Sequence, residues 1–133
     1  MKIQDFVEKY RVRLQMERAM ENPNIMSKDM PTGSRHWRCV LRMQRRRMTV
    51  PFSQGSGLKD DPTVSDVLDC LAMDAADVEG AKDFEAWAQE LGLNTDSRRA
   101  ENIYRAVMRQ TVGLKRLLGD EAFETLLWKT ERA

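Results

Sequence analysis

The spacing of apolar side chains along the first half of the chain changes from a helical period to strict alternation. Residues 2–9 place their apolar side chains at helical spacing, which predicts a short amphipathic helix. Apolar and polar residues then alternate over residues 12–16, 36–44 and 48–52, which is the two-residue period of half-buried β-strands. We therefore expect three strands in one antiparallel sheet, with a tight turn around residues 44–46 joining the last two.

Two segments lack this periodicity and are predicted to be connections. Residues 21–34 contain Pro23 and Pro31 and form a long predicted loop. Residues 53–61 are a predicted linker to the second half of the chain. Pro51 cannot donate a hydrogen bond to a neighbouring strand, so the third strand is expected to be an edge strand or to end there.

The second half of the chain shows helical spacing with strong start and stop signals. Thr63 followed by Asp66 resembles a capping box, in which two residues three apart bond to each other's backbone at the start of a helix. The other predicted helix starts and ends are marked by Asp83, Asp96 or Ser97, Asp120, Gly92 and Gly119. These signals predict about four helices after the sheet.

The whole pattern predicts an α+β fold, with a three-stranded antiparallel sheet followed by about four helices packed as one domain. We expect a single domain over residues 1–133. Residues 1–53 hold the short helix and the sheet with its arginine-rich hairpin, and residues 62–130 form the helical part. The expected core consists of Trp37, Leu41, Val50, Leu68, Leu71, Phe84, Trp87, Ile103, Val107 and Leu114.

Charge is unevenly distributed along a chain whose net charge is only +1. The segment Arg35–Arg47 holds six arginines and no acidic residue, whereas ten acidic residues lie between Asp60 and Glu90. This asymmetry predicts one basic and one acidic face. The alternative is that the two patches neutralise each other or simply face water.

The stretch RMQRRRMTV is the main candidate for a functional feature. Alternation places Arg38 and Arg42 on the polar face of the second strand. The predicted turn carries Arg45, Arg46 and Arg47. Guanidinium groups offer forked donors that suit carboxylates and phosphates, so these five arginines are the predicted partner-binding residues. The alternatives are docking to a protein, direct binding of nucleic acid, and a solvated hairpin tip with no partner.

The residue types that usually carry catalysis or bind metals are sparse. The chain has one histidine and two cysteines, whereas a zinc site needs three or four ligands. His36 and Cys39 are three positions apart on a predicted strand, so they point to opposite faces and do not form a catalytic dyad. We therefore expect no enzymatic activity, no metal site and no cofactor.

Signals for export and membrane insertion are not recognisable in the sequence. No apolar run approaches the roughly 18 residues that a membrane helix needs, and the first residues lack the apolar core of a signal peptide. These features predict a cytoplasmic protein that does not contact the membrane. In that compartment Cys39 and Cys70 are expected to be buried thiols rather than a disulfide.

Three stretches of the sequence resemble a known group of proteins. They are HWRCVLRMQRRRMTVPFSQGSG, PTVSDVLDCLAMDAADVEGAKDFEAWAQELGLNTDSRRAENIYRAV and LKRLLGDEAFETL. The chain is similar in these stretches to a family of small phage and prophage accessory proteins, which share an arginine-rich hairpin ending in a TVPFS-like strand. The resemblance covers residues 36–127.

The resemblance implies a phage context, in which small proteins without catalytic residues often inhibit host systems. It implies a non-enzymatic protein that acts in the host cytoplasm and inhibits a host defence complex, as an anti-CRISPR protein inhibits a CRISPR–Cas effector. The expected partner is a host protein or ribonucleoprotein complex. The alternative is a nucleic-acid-binding accessory or regulatory phage protein that uses the arginine-rich hairpin. A structural phage component is a third hypothesis, and the oligomeric state stays open.

Overall fold

The computed structural model describes three parts of the chain, which are residues 1–18, 37–50 and 62–131. Of residues 16–18 and 37–38 only the backbone is described. The predicted loop at residues 21–34 and the predicted linker at residues 53–61 lie outside the described parts.

The described parts of the chain form five α-helices, a π-helical turn and three strands. In chain order they are α1 (Ile3–Tyr10), β1 (Arg13–Arg18), β2 (Trp37–Met43), β3 (Arg46–Val50), α2 (Val64–Gly80), α3 (Phe84–Glu90), α4 (Arg98–Leu118), α5 (Asp120–Glu124) and the π-helical turn (Thr125–Lys129). The predicted α+β fold, with one three-stranded antiparallel sheet and a helical second half, is confirmed.

Helices α2, α3 and α4 begin where short polar side chains bond to exposed backbone N–H groups. At the start of α2, the backbone N–H of Asp66 donates to Oγ1 of Thr63 at 3.1 Å. The N–H of Thr63 donates in turn to Oδ2 of Asp66 at 3.0 Å, which completes the predicted capping box. Asp83 caps α3, and Ser97 rather than Asp96 caps α4. Local side-chain chemistry therefore sets these boundaries.

The sheet has the order β1-β2-β3, and both strand pairs are antiparallel. On its inner face, the buried Leu41 of β2 pairs with Leu14 of β1 and with Met48 of β3. Cε of Met48 lies 3.7 Å from the position that a Cβ on Gly113 would occupy, so β3 is in van der Waals contact with α4. This contact places the β2–β3 hairpin over the C-terminal half of α4.

Most of the predicted core is confirmed, and the exceptions lie around α3. The predicted core residues that are buried are Leu41, Val50, Leu68, Leu71, Trp87 and Leu114. Phe84, Ile103 and Val107 were also expected in the core, but they are only half-buried. The physical reason is that α3 has seven residues and covers only part of the N-terminal half of α4. The side chain of Trp37 lies outside the described parts.

A separate aromatic cluster joins α3 to α4. The ring centroid of Tyr104 lies 5.1 Å from that of Trp87 and 5.3 Å from that of Phe84. Trp87 is the buried centre of this cluster, with 2 % of its surface exposed. It does not belong to the main core, which lies between the sheet, α1, α2 and α4. The position of α3 therefore depends on this small group of rings.

The π-helical turn brings the C-terminal end of the described chain back to α1. Oγ1 of Thr130 donates to the carbonyl oxygen of Thr125 at 2.8 Å. The hydroxyl of Tyr10 donates to Oγ1 of Thr125 at 3.5 Å, and the N–H of Glu131 donates to the carbonyl of Met1 at 2.7 Å. These bonds connect the two ends of the described chain.

Truncating the buried tryptophan should destabilise the protein far more than truncating an exposed one. Trp87→Ala removes the centre of the aromatic cluster and should lower the free energy of unfolding by about 3–5 kcal/mol. Trp128→Ala is the matched control because Trp128 is 53 % exposed, so it should change stability little. Urea denaturation of the two variants measures the difference, and equal stabilities would show that α3 does not depend on this cluster.

Candidate functional site

The β2–β3 hairpin closes with a two-residue turn formed by Gln44 and Arg45. Met43 and Arg46 pair on either side of the turn. Gln44 has a φ of 57°, the left-handed value that two-residue hairpin turns require at their first central position. A turn near the predicted position is therefore confirmed, although no glycine or asparagine supplies the positive φ. Arg46 and Arg47 were also expected in the turn, but they belong to β3, because the turn needs only two residues.

The strand register places three arginines in one line across the outer face of the sheet. Arg42 of β2 pairs with Arg13 of β1 and with Arg47 of β3. Directly opposite residues share a face, and adjacent strands lie about 4.8 Å apart, so this line is about 10 Å long. Arg13 and Arg47 are exposed and Arg42 is half-buried. We call Arg13, Arg42 and Arg47 the arginine row.

A hydrogen bond holds the middle arginine of the row in place. Nε of Arg42 donates to Oε1 of Gln15 at 2.7 Å, which connects β2 to β1 on the outer face. Val40, the next residue of β2 on the same face, is fully buried although the alternation had placed it among polar residues. The outer face is thus ordered around Arg42 rather than uniformly solvated.

The structure separates Arg46 from the other predicted arginines whose side chains it describes. Arg46 pairs with the inward-facing Met43, and its Nη1 lies 3.6 Å from the position that a Cβ on Gly119 would occupy, at the C-terminal end of α4. Carbonyl groups at a helix C-terminus attract a cation, so this position suits a guanidinium. Arg46 is therefore separated from the arginine row. Arg45 lies at the exposed hairpin tip, beside the row.

Arg38 and Arg13 differ in whether the sequence predicted them as part of this surface. Arg38 was predicted, and its backbone pairs with that of Glu17, while its side chain lies outside the described parts. Arg13 was not predicted as a partner-binding residue, although the sequence shows that it alternates with the apolar Val12 and Leu14. The missing information was the pairing of β1 with β2, because the sequence does not state which residue of one strand lies opposite Arg13.

The arginine row places like charges opposite each other on neighbouring strands, an arrangement that by itself disfavours a sheet. Arg13 and Arg47 are exposed, so water and salt screen their charges. An anionic surface that binds the row would gain forked hydrogen bonds from the guanidinium groups.

The acidic residues Asp69, Asp74 and Asp77 of α2 are partly buried, so the acids of this helix do not all face water. Nε2 of Gln110 on α4 donates to Oδ2 of Asp74 at 3.2 Å. Burial raises the pKa of Asp74, the hydrogen bond from Gln110 lowers it, and the nearby Asp77 raises it. Oδ1 of Asp69 is buried and has no hydrogen-bond partner among the described residues. The other two acids considered at this end, Asp60 and Asp61, lie outside the described parts.

Both cysteines are reduced, and neither has the features of a reactive thiol. Cys39 is buried, and burial raises its pKa. Cys70 is half-buried, and its pKa is raised by burial and then by the charges of Asp69, Asp74 and Asp66. Within the described parts of the chain, His, Cys, Asp and Glu side chains form no group of three or more that could hold a metal ion.

Comparison of the whole chain with protein-family models, with curated proteins and with solved structures found no match. Among the described helices, none combines the length and the apolar character needed to cross a membrane.

Replacing Asp74 with Asn should stabilise the protein at neutral pH. Because the folded-state pKa of Asp74 is raised, its protonated form stabilises the fold, and this contribution is lost as the pH rises through the folded-state pKa. Asp74→Asn stays uncharged, so it should be more stable than the parent near pH 7. The two should converge below the ordinary aspartate pKa of about 3.9. Urea denaturation across this pH range measures the difference, and a pH-independent difference would contradict the assignment.

Labelling of the two thiols should be slow in the folded protein, and Cys39 should react more slowly than Cys70. Only the thiolate is nucleophilic, and burial both raises the pKa and blocks access. Mass spectrometry after timed alkylation, with and without denaturant, separates the two sites. Native labelling as fast as labelling in denaturant would show that these thiols are accessible and would reopen a redox role.

Proposed function

We propose that this protein is a non-enzymatic, phage-type binding protein that inhibits a host defence complex in the host cytoplasm, with a CRISPR–Cas effector as the specific target. The observation that carries the binding part is the arginine row, with Arg45 beside it at the hairpin tip. The phage and defence context rests on the resemblance of residues 36–127 to phage accessory proteins.

The arginine row supports an anionic partner for two reasons. First, it is built from arginine, whose planar guanidinium binds carboxylates and phosphates through paired hydrogen bonds. Second, the register aligns three guanidinium groups across one face of the sheet, where they can present several forked donors to one partner. Complementary charge on a partner speeds association and suppresses wrong partners more than it increases affinity.

The exposed residues of the hairpin also fit a rapid encounter with a large complex. Arg45 lies in the two-residue turn and Arg47 lies close to it in β3, which is an edge strand of the described sheet, and both side chains are exposed. Gln44, also exposed, adds an amide that can donate and accept hydrogen bonds. A small protein that carries such a tip can occupy an acidic or phosphate-lined cleft of a larger assembly.

Removing the exposed arginines of this surface should weaken inhibition without unfolding the protein. The test variant is Arg13→Gln with Arg45→Gln and Arg47→Gln, assayed for inhibition of target-DNA cleavage by a panel of purified CRISPR–Cas effectors. We expect the parent to inhibit one effector, and the triple variant to need about tenfold or more protein for the same effect because association slows. Thermal unfolding should show that both proteins stay folded.

The matched control removes three positive charges elsewhere on the surface. Lys82→Gln, Arg99→Gln and Lys129→Gln are all at exposed positions outside the arginine row, so this variant should inhibit like the parent. If the hairpin variant is as potent as the parent, the arginine row is not the contact surface. If the parent inhibits no effector in the panel, the proposed function is wrong.

A further inference from the structure

Helix α4 carries a second basic surface, which is formed by four exposed arginines. Arg98, Arg105, Arg109 and Arg116 are all exposed. At 100° per residue they fall within an arc of about 40° on the helix, and at 1.5 Å per residue they extend over about 27 Å. We call these four residues the arginine stripe.

The stability of the helix explains only part of this stripe. Arg105 pairs with Glu101 at 2.6 Å, and Arg116 lies in the last turn, where positive charge is favourable. Arg98 lies in the first turn, where the helix dipole disfavours positive charge. Arg105 and Arg109 are four residues apart, a spacing at which like charges destabilise a helix. Helix stability therefore does not explain the positions of Arg98 and Arg109.

The stripe and the hairpin meet at the C-terminal end of α4. Nη1 of Arg46 lies 3.6 Å from where a Cβ on Gly119 would be, one helical turn beyond Arg116. Met48 of β3 contacts Gly113 of the same helix. The fold thus brings Arg46 of the hairpin to the C-terminal end of the stripe, whereas the arginine row lies on the other face of the sheet.

The shape and composition of the stripe favour a linear polyanion over a protein. Protein interfaces usually centre on buried aromatic or apolar anchors, and the apolar side chains exposed along α4 are limited to Met108 and Val112 at the border of the stripe. The aromatic rings beside α4, those of Phe84, Trp87 and Tyr104, pack on one another. Binding of single strands depends on stacking of bases on such rings, whereas a duplex backbone requires only placed positive charge.

We propose that the arginine stripe binds the phosphate backbone of double-stranded nucleic acid. Its length of about 27 Å is most of one duplex turn of about 34 Å. The inference rests on the proposed function only for the source of the duplex, which is the nucleic acid held by the defence complex. Arg46, at the C-terminal end of the stripe, then extends the contact with the same duplex.

The test measures binding of the purified full chain to a fluorescent DNA duplex of about 20 base pairs, two turns long, by anisotropy over a series of salt concentrations. Arg98→Gln, Arg109→Gln and Arg116→Gln together remove three phosphate contacts. We expect this variant to bind about tenfold or more weakly and to lower the slope of log K against log salt by about 2–3, since each contact contributes about 0.9. The three-charge control variant with Lys82, Arg99 and Lys129 replaced should keep the parent slope.

The comparison with Arg99 makes the test sensitive to geometry, because Arg99 lies on the same helix but about 100° away from Arg98. Equal losses in the stripe and control variants would overturn the stripe as a site. Tighter binding of the matching single strand than of the duplex would overturn the duplex assignment. If a variant unfolds, the single substitution Arg109→Gln, which also removes a like-charge pair from the helix, should still lower the salt slope by about one.

The failure of this inference can be told apart from the failure of the proposed function. An effector that is inhibited equally by the parent and by the stripe variant, with no duplex binding by either, would overturn the inference alone. Binding of the duplex by a protein that inhibits no effector would support the stripe and overturn the proposed function.

Discussion

The packing of the inner face of the sheet on α4 is the contact on which the other features depend. Leu41 lies between Leu14 and Met48 in register, and Met48 contacts α4 at Gly113. A slip of one residue in this register would turn every side chain of the strand to the opposite face. The burial of Leu41 therefore also aligns the arginine row, because each arginine of the row is directly adjacent in sequence to Leu14, Leu41 or Met48.

The same contact explains how two basic segments become neighbours. Arg46 is on the inner face, and the approach of β3 to α4 brings its guanidinium to the end of that helix near Gly119. The arginine row stays on the outer face, and the arginine stripe lies along the exposed side of α4. Burial of apolar surface, about 25 cal/mol per Å², thus fixes the position of each of these basic groups.

The acidic residues of α2 do not form an exposed acidic surface comparable to the basic one. Burial raises the pKa of Asp74, which also accepts a hydrogen bond from Gln110. Oδ1 of Asp69 is buried and has no hydrogen-bond partner among the described residues. Asp74 is thus tied to the contact between α2 and α4, and both carboxyl groups are partly buried. Their partial burial favours a structural role over that of a docking surface for a cationic partner.

The sequence by itself determined the features that depend on local chemistry. The capping box of Thr63 and Asp66, the cap at Asp83 and the stop at Gly92 were predictable, because each depends on residues within one turn. The three strands were predictable because alternation is also local. The presence of an arginine-bearing hairpin was predictable for the same reason.

Only the tertiary structure decided which distant residues meet. The pairing of Arg13 with Arg42, the place of Arg46 at the end of α4, and the half-burial of Ile103 and Val107 all depend on how separate elements pack. Periodicity shows which side of an element is apolar, but it does not show how far a neighbouring element covers that side or which residue lies opposite. Those outcomes are set by register and by the lengths of the packed elements, which are properties of the whole fold.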